Sequence, residues 1–144
     1  MTGSLPKTNR SLAISLLRGR ERVMGPIRAM LADAGITEQQ WRVLRVLQES
    51  GPLEPTRIAE RSCLLLPSLT RILQKLEEKR MIRRRRDPGD RRKQIVDISD
   101  AGEAVIAANL ENSIALMQKI RDQMGSDRFE ALLDLLNELE RATD

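Results

Sequence analysis

The chain has 144 residues, 40% of them hydrophobic, which suits one compact domain with helical extensions. No uninterrupted apolar run approaches the roughly 20 residues of a membrane-spanning helix. The absence of histidine beside a single cysteine removes Ser-His-Asp and Cys-His triads and leaves zinc no credible soft ligand set, and the carboxylates form no enzyme constellation, so no catalytic residue, metal site or cofactor is expected. The formal net charge of +4 is unevenly spread: nine basic residues between Lys79 and Lys93 meet only Asp87 and Asp90, a local net of +7 that leaves −3 elsewhere, the footprint of a nucleic-acid binder.

The opening residues are polar, contain Pro6, and are expected to be flexible. They lack the apolar stretch of a secretory signal, and Cys63 has no partner for a disulfide, so a cytoplasmic address is expected. From Ser11 to Ala34, Leu12, Leu16 and Leu17, then Met24, Ile27 and Leu31, predict a long helix that Gly25-Pro26 bends or interrupts and Gly35 ends. Thr37, with Gln40 in capping-box register, opens a second helix. Its core side carries Trp41, Leu44 and Leu47, with Val43 filling in, and Gly51-Pro52 stops it. Pro55 starts a short third helix, to about Ser62, that buries Ile58 and Ala59.

The fourth helix, about Leu66 to Arg80, has Leu69, Ile72, Leu73 and Leu76 on one stripe, with Pro67, Thr70, Arg71, Gln74 and Lys75 turned away from it. The period then changes. Met81 to Arg86 and Gln94 to Ile98 predict two strands around the turn Asp87-Pro88-Gly89-Asp90. Ser99 caps a fifth helix, from about Ala101 to Met124, striped by Ile106, Leu110, Ile114, Met117, Ile120 and Met124. Gly125-Ser126 breaks it, and a last helix carries Phe129, Leu132, Leu133, Leu136 and Leu139.

Three short helices followed by a basic hairpin is the order of a winged helix-turn-helix, so the expected fold class is mainly α with a two-stranded β wing. The expected organisation is a flexible N-terminus over 1–10, a dimerisation helix over 11–34, a winged helix-turn-helix over 35–100 and C-terminal dimerisation helices over 101–144. A major groove about 12 Å wide admits one helix, apolar behind and hydrogen-bonding in front. Arg71 and Gln74 are types that bond bidentately to bases, while Ser68, Thr70 and Lys75, beside Pro67, suit phosphates. Arg91 and Arg92, at the tip of the hairpin, suit a minor groove. Only alternate residues of a strand share a face, so about half of the four consecutive arginines are expected to reach phosphate, with Arg84 and Arg86 as the candidates. The terminal helices have apolar stripes to bury, and a second copy of the chain is the expected cover; two-fold symmetry then matches a pseudo-palindromic operator.

Arg18, Arg20, Arg22 and Arg42 lie beside apolar helix faces, where a guanidinium can anchor a carboxylate, and Trp41 can pack against a ring. The competing roles are surface ion pairs for the arginines and core packing for Trp41. Cys63, next to Leu64, Leu65 and Leu66, is expected to be buried and unreactive.

The segments TEQQWRVLRVL, PSLTRILQKLEEKRMIRRR and DPGDRRKQIVDISDAG, in that order, resemble the MarR family of transcriptional regulators over nearly the whole chain, Ser11 to Glu140. The family's wing motif Asp-x-Arg reads Asp90-Arg91-Arg92, which implies Arg92 as the minor-groove residue and Asp90 as the group that holds the wing arginines. SLLRGRERVMGPIRAML, TEQQWRVLRVL and CLLLPSLTRIL are together similar to family members that repress aromatic-acid catabolic operons. The resemblance implies a triangular homodimer with interleaved terminal helices, double-stranded DNA as partner, and a small aromatic carboxylate effector, hydroxylated phenylacetates foremost. Control by another small molecule, or DNA binding without ligand control, stays open, as does the choice between repression and activation.

Overall fold

The computed structural model describes residues 3–142, so the ends of the segments expected over 1–10 and 101–144 lie outside the described residues. A single 3-10 turn, Thr8–Arg10, precedes α1 (Leu12–Asp33), α2 (Glu38–Ser50), α3 (Pro55–Ser62) and α4 (Leu66–Glu78). The hairpin β1 (Ile82–Arg86) and β2 (Gln94–Ile98) follows, then α5 (Asp100–Met124) and α6 (Ser126–Arg141). The described chain is mostly helical, as expected for a winged helix-turn-helix.

Two compact units are present: Arg28–Leu110, and the chain up to Ile27 together with the chain from Glu111 onward. In the first, Val43, Leu44 and Leu47 of α2, Ile58 and Ala59 of α3, Leu69, Leu73 and Leu76 of α4, Ile82, Val96 and Ile106 make one core. The capping box is formed, with Thr37 Oγ1 accepting from Gln40 N–H at 3.1 Å and Gln40 Oε1 accepting from Thr37 N–H at 3.2 Å. Val43 is fully buried while Trp41 only flanks the core, the reverse of the expected weighting.

The strands pair antiparallel with Ile82 opposite Ile98 and Arg86 opposite Gln94. Leu53 adds an isolated bridge to Val96, giving the hairpin a third edge contact that the sequence did not announce. Helix α1 runs without interruption through Pro26. The missing N–H removes one bond, and the turns on either side carry the helix past it.

Three helix ends share one hydrogen-bond pattern. Ile36 N–H donates to Leu31 O, Leu64 N–H to Ala59 O, and Met81 N–H to Leu76 O, each closing over a left-handed residue: Gly35, Cys63 and Arg80. Arg80 therefore lies past the end of α4 and not inside it.

The second unit is built differently. No described residue in it is buried, and Leu12, Leu17, Ile114, Leu133 and Leu136 are exposed. Within it, Arg22 donates to Gln123 at 2.6 Å, and Arg121 pairs with Glu130 while lying over the Phe129 ring. Among the described residues, no helix is long and apolar enough to cross a membrane.

Candidate nucleic-acid interface

Helix α4 is held from behind by Leu69, Leu73 and Leu76, so its opposite face is left to solvent. Pro67, Thr70, Arg71, Gln74 and Lys75 are exposed there and Ser68 is half-buried. Arg71 makes no hydrogen bond or ion pair with a described residue, so its five donors stay available. Thr70 Oγ1 donates back to Leu66 O at 3.0 Å, and Lys75 lies 3.6 Å from Glu78. No side chain caps the α4 N-terminus, which leaves first-turn N–H groups for an outside acceptor. The far end is anchored by Lys79, whose Nζ donates to Gly35 O at 2.7 Å and Gln40 Oε1 at 3.2 Å.

The hairpin tip is closed by its own backbone. Asp87 N–H donates to Lys93 O, Lys93 N–H to Asp90 O, and Gly89 N–H to Asp87 Oδ1 at 2.9 Å. Asp90 Oδ1 accepts from the Arg92 backbone N–H at 3.1 Å and from its Nε at 3.3 Å. The Arg92 side chain is otherwise 92% exposed. Arg86 donates to Arg91 O at 2.8 Å, which ties the strand to the tip.

Arg84 departs from the expectation of a free phosphate contact. Its side chain is 16% exposed, pairs with Glu77 at 3.2 Å and donates to Gln74 Oε1 at 3.2 Å. Strand alternation puts Arg84 on the face of buried Ile82, which packs toward α4. Arg83, on the other face, pairs with Asp97 across the strands.

The candidate effector residues fall into both units. Arg18, Arg20 and Arg22 are exposed residues of α1 in the second unit, where Arg20 pairs with Glu21 and Arg22 with Gln123. Trp41 and Arg42 belong to the other unit. Arg42 donates to Ser62 O at 2.8 Å, closing the end of α3, and to Glu38 at 3.4 Å. Glu38 also accepts from Arg28 at 3.0 Å, so two guanidinium groups converge on one carboxylate. Arg28 was not singled out from the sequence, because nothing local links it to a carboxylate ten positions on.

Cys63 is exposed, which corrects the expected burial. Its left-handed backbone at the end of α3 turns the side chain out, and Leu65 beside it is 78% exposed, so the apolar run is no apolar pocket. Among the described residues, no group of three or more metal-ligating side chains occurs.

Comparison with known proteins bears on this arrangement directly. Residues 36–93, which span α2 to the hairpin tip, match the family model described as MarR family. The chain is 34% identical over 134 residues to the HTH-type transcriptional regulator FarR of Neisseria gonorrhoeae, covering 93% of this chain and 92% of that protein. It is 33% identical over 128 residues to the homoprotocatechuate degradative operon repressor of Escherichia coli, covering 89% and 86%. Among solved structures it is similar to NadR in complex with 4-hydroxyphenylacetate, with 32% identity, a TM-score of 0.84 and coverage of 98% and 100%.

Proposed function

Because this chain belongs to the MarR family, a family of DNA-binding transcriptional regulators and not of enzymes, we propose that it is a homodimeric repressor released from its operator by an aromatic carboxylate. The carrying observation is the exposed face of α4 followed by the basic hairpin, two DNA-facing devices on one core. Arg71 and Gln74 read bases in the major groove; Ser68, Thr70 and Lys75 hold phosphates beside Pro67. Arg91 and Arg92 enter the minor groove, with Asp90 restraining Arg92 and Arg86 bracing the tip.

Dimerisation is supported by the unit that buries none of its own described residues. The effector class is supported by the similarity to a protein solved with 4-hydroxyphenylacetate and to a homoprotocatechuate operon repressor. The candidate anchors are Arg42, for which an effector carboxylate would compete with Glu38, and as alternatives Arg18, Arg20 or Arg22, with the Trp41 ring as a candidate stacking surface.

The experiment is titration of 3,4-dihydroxyphenylacetate and 4-hydroxyphenylacetate against the protein bound to a fluorescent operator. Either acid is expected to weaken binding at least tenfold by millimolar concentration, which needs about 1.4 kcal/mol of coupling. An unmoved curve overturns the effector class. Parallel titrations of Arg18→Ala, Arg20→Ala, Arg22→Ala, Trp41→Ala and Arg42→Ala locate the anchor, since an effector that acts equally on all five binds elsewhere.

A further inference from the structure

Gln74 lies on the exposed face of α4, yet both ends of its carboxamide are already engaged. Its Oε1 accepts from Arg84 at 3.2 Å, and its Nε2 donates to Glu78 Oε1 at 3.4 Å. Arg84 reaches this position from β1, where it also pairs with Glu77, one helical turn from Gln74. A carboxamide offers two N–H donors and two carbonyl lone pairs. One of each is used here, so one donor and one acceptor remain.

The remaining pair has a defined order. Flipping the amide would set its NH2 against a guanidinium, which has no acceptor, and its oxygen against a carboxylate, which has no donor. Arg84 and Glu78 together therefore suppress the flipped rotamer. Bidentate recognition of adenine needs one donor toward N7 and one acceptor for N6–H, the two functions left free.

The geometry points to Arg84 as a positioning residue for base readout: from the wing it locks, with Glu78, the Gln74 carboxamide on α4 in the orientation that reads adenine. This rests on the proposed docking of α4 in the major groove. It also gives the wing a second task, setting what the helix reads, besides gripping DNA at its tip. A low exposure of 16%, in a strand whose Arg83 side chain is 70% exposed, fits a residue turned to the helix and not to phosphate.

The test begins with selection of duplexes from a randomised library by the full-length protein. Titrations follow at several salt concentrations, on the selected duplex and on duplexes with each A·T pair replaced. Gln74→Ala is expected to abolish discrimination at one A·T pair, a preference of about 5- to 150-fold in the parent. Arg84→Met and Glu78→Ala should each relax discrimination at that same pair, and Arg84→Met combined with Gln74→Ala should lose no more than Gln74→Ala alone. The salt slope of Arg84→Met should match the parent. A slope lower by about 0.9 with discrimination intact would make Arg84 a phosphate contact and overturn the proposal. Loss of discrimination in Gln74→Ala but in neither Arg84→Met nor Glu78→Ala overturns it while leaving the docking intact. Unchanged discrimination in Gln74→Ala removes Gln74 as a reader and the proposal with it, whereas failure of the parent to select any duplex sinks the regulator reading itself. Should Arg84→Met misfold by circular dichroism, Arg84→Gln, whose own carboxamide can offer either a donor or an acceptor and so suppresses neither orientation, and Glu78→Ala carry the same comparison.

Discussion

Arg92 and Arg71 illustrate how similar side chains divide labour. Arg92 is restrained at its base by Asp90 and otherwise open to solvent at the tip of a turn closed by its own backbone. A long cation so placed can neutralise the nucleic-acid backbone, which carries no sequence information, or enter a narrow groove, which favours A·T-rich steps without reading individual base edges. Arg71 projects from the middle of α4, and in the proposed docking it would meet base edges, where a bidentate pair carries information. Arg92→Ala is therefore expected to weaken binding on every duplex and to lower the salt slope by about one unit. Arg71→Ala should instead cost about 1–3 kcal/mol on the preferred duplex and relax preference at one position. Fluorescence titrations at three salt concentrations, on preferred and scrambled duplexes, check both. If neither variant differs from the parent on either duplex, the proposed docking is wrong.

At the scale of elements, what matters is how α4 and the wing are fixed to each other and to the start of α5. Ser99 Oγ donates to Arg80 O at 2.6 Å, and Ser99 N–H donates to Met81 O at 3.0 Å, so the first turn of α5 sits against the α4–β1 connection. Gly102 completes the joint. A Cβ there would meet Met81 O at 2.4 Å and Ile98 Cγ1 at 2.7 Å. In an open helix, alanine in place of glycine would gain up to about 1 kcal/mol from propensity. Here the obstructing atom is a backbone carbonyl held by Ser99, so the clash outweighs the gain. Gly102→Ala is expected to destabilise the protein by a net ~1–3 kcal/mol, seen as a lower urea midpoint with an unchanged m-value. An unchanged or higher midpoint would mean that α5 can move off the turn at little cost.

At the scale of the whole molecule, the contrast is between a unit with one continuous core and a unit in which no described residue is buried. The residues of Arg28–Leu110 bury one core, whereas Leu12, Leu17, Ile114, Leu133, Leu135 and Leu136 remain exposed. Full burial of an exposed side chain of this size is worth about 1.5–3 kcal/mol, so covering the set, though each is already partly buried, is a substantial gain. A second copy is the cover proposed here, and helices that share it have no other place to bury their stripes. Leu133→Asp or Leu136→Asp is expected to yield unfolded or aggregated protein. The parent should sediment as a dimer that dissociates only as it unfolds. A folded monomer at micromolar concentration would exclude that arrangement.

The sequence by itself determined which elements form, because their signals lie within a few residues of one another. The stripe Leu69, Ile72, Leu73 and Leu76, the Thr37–Gln40 box and the Asp87-Pro88-Gly89-Asp90 turn are each complete within one stretch of chain. The helix end at Gly35 was legible for the same reason, a glycine where a left-handed residue is needed. Those at Cys63 and Arg80 were not, since neither residue type announces that conformation. Only the tertiary structure decided where the long polar side chains go. Arg42 closes α3 from twenty positions away, Arg84 reaches Gln74 and Glu77 on α4, Leu53 bridges to Val96, and Cys63 faces solvent despite three leucines after it. A guanidinium on a flexible stem can satisfy many partners, and which one wins depends on what the packed core brings within about 3 Å, a distance no local pattern encodes.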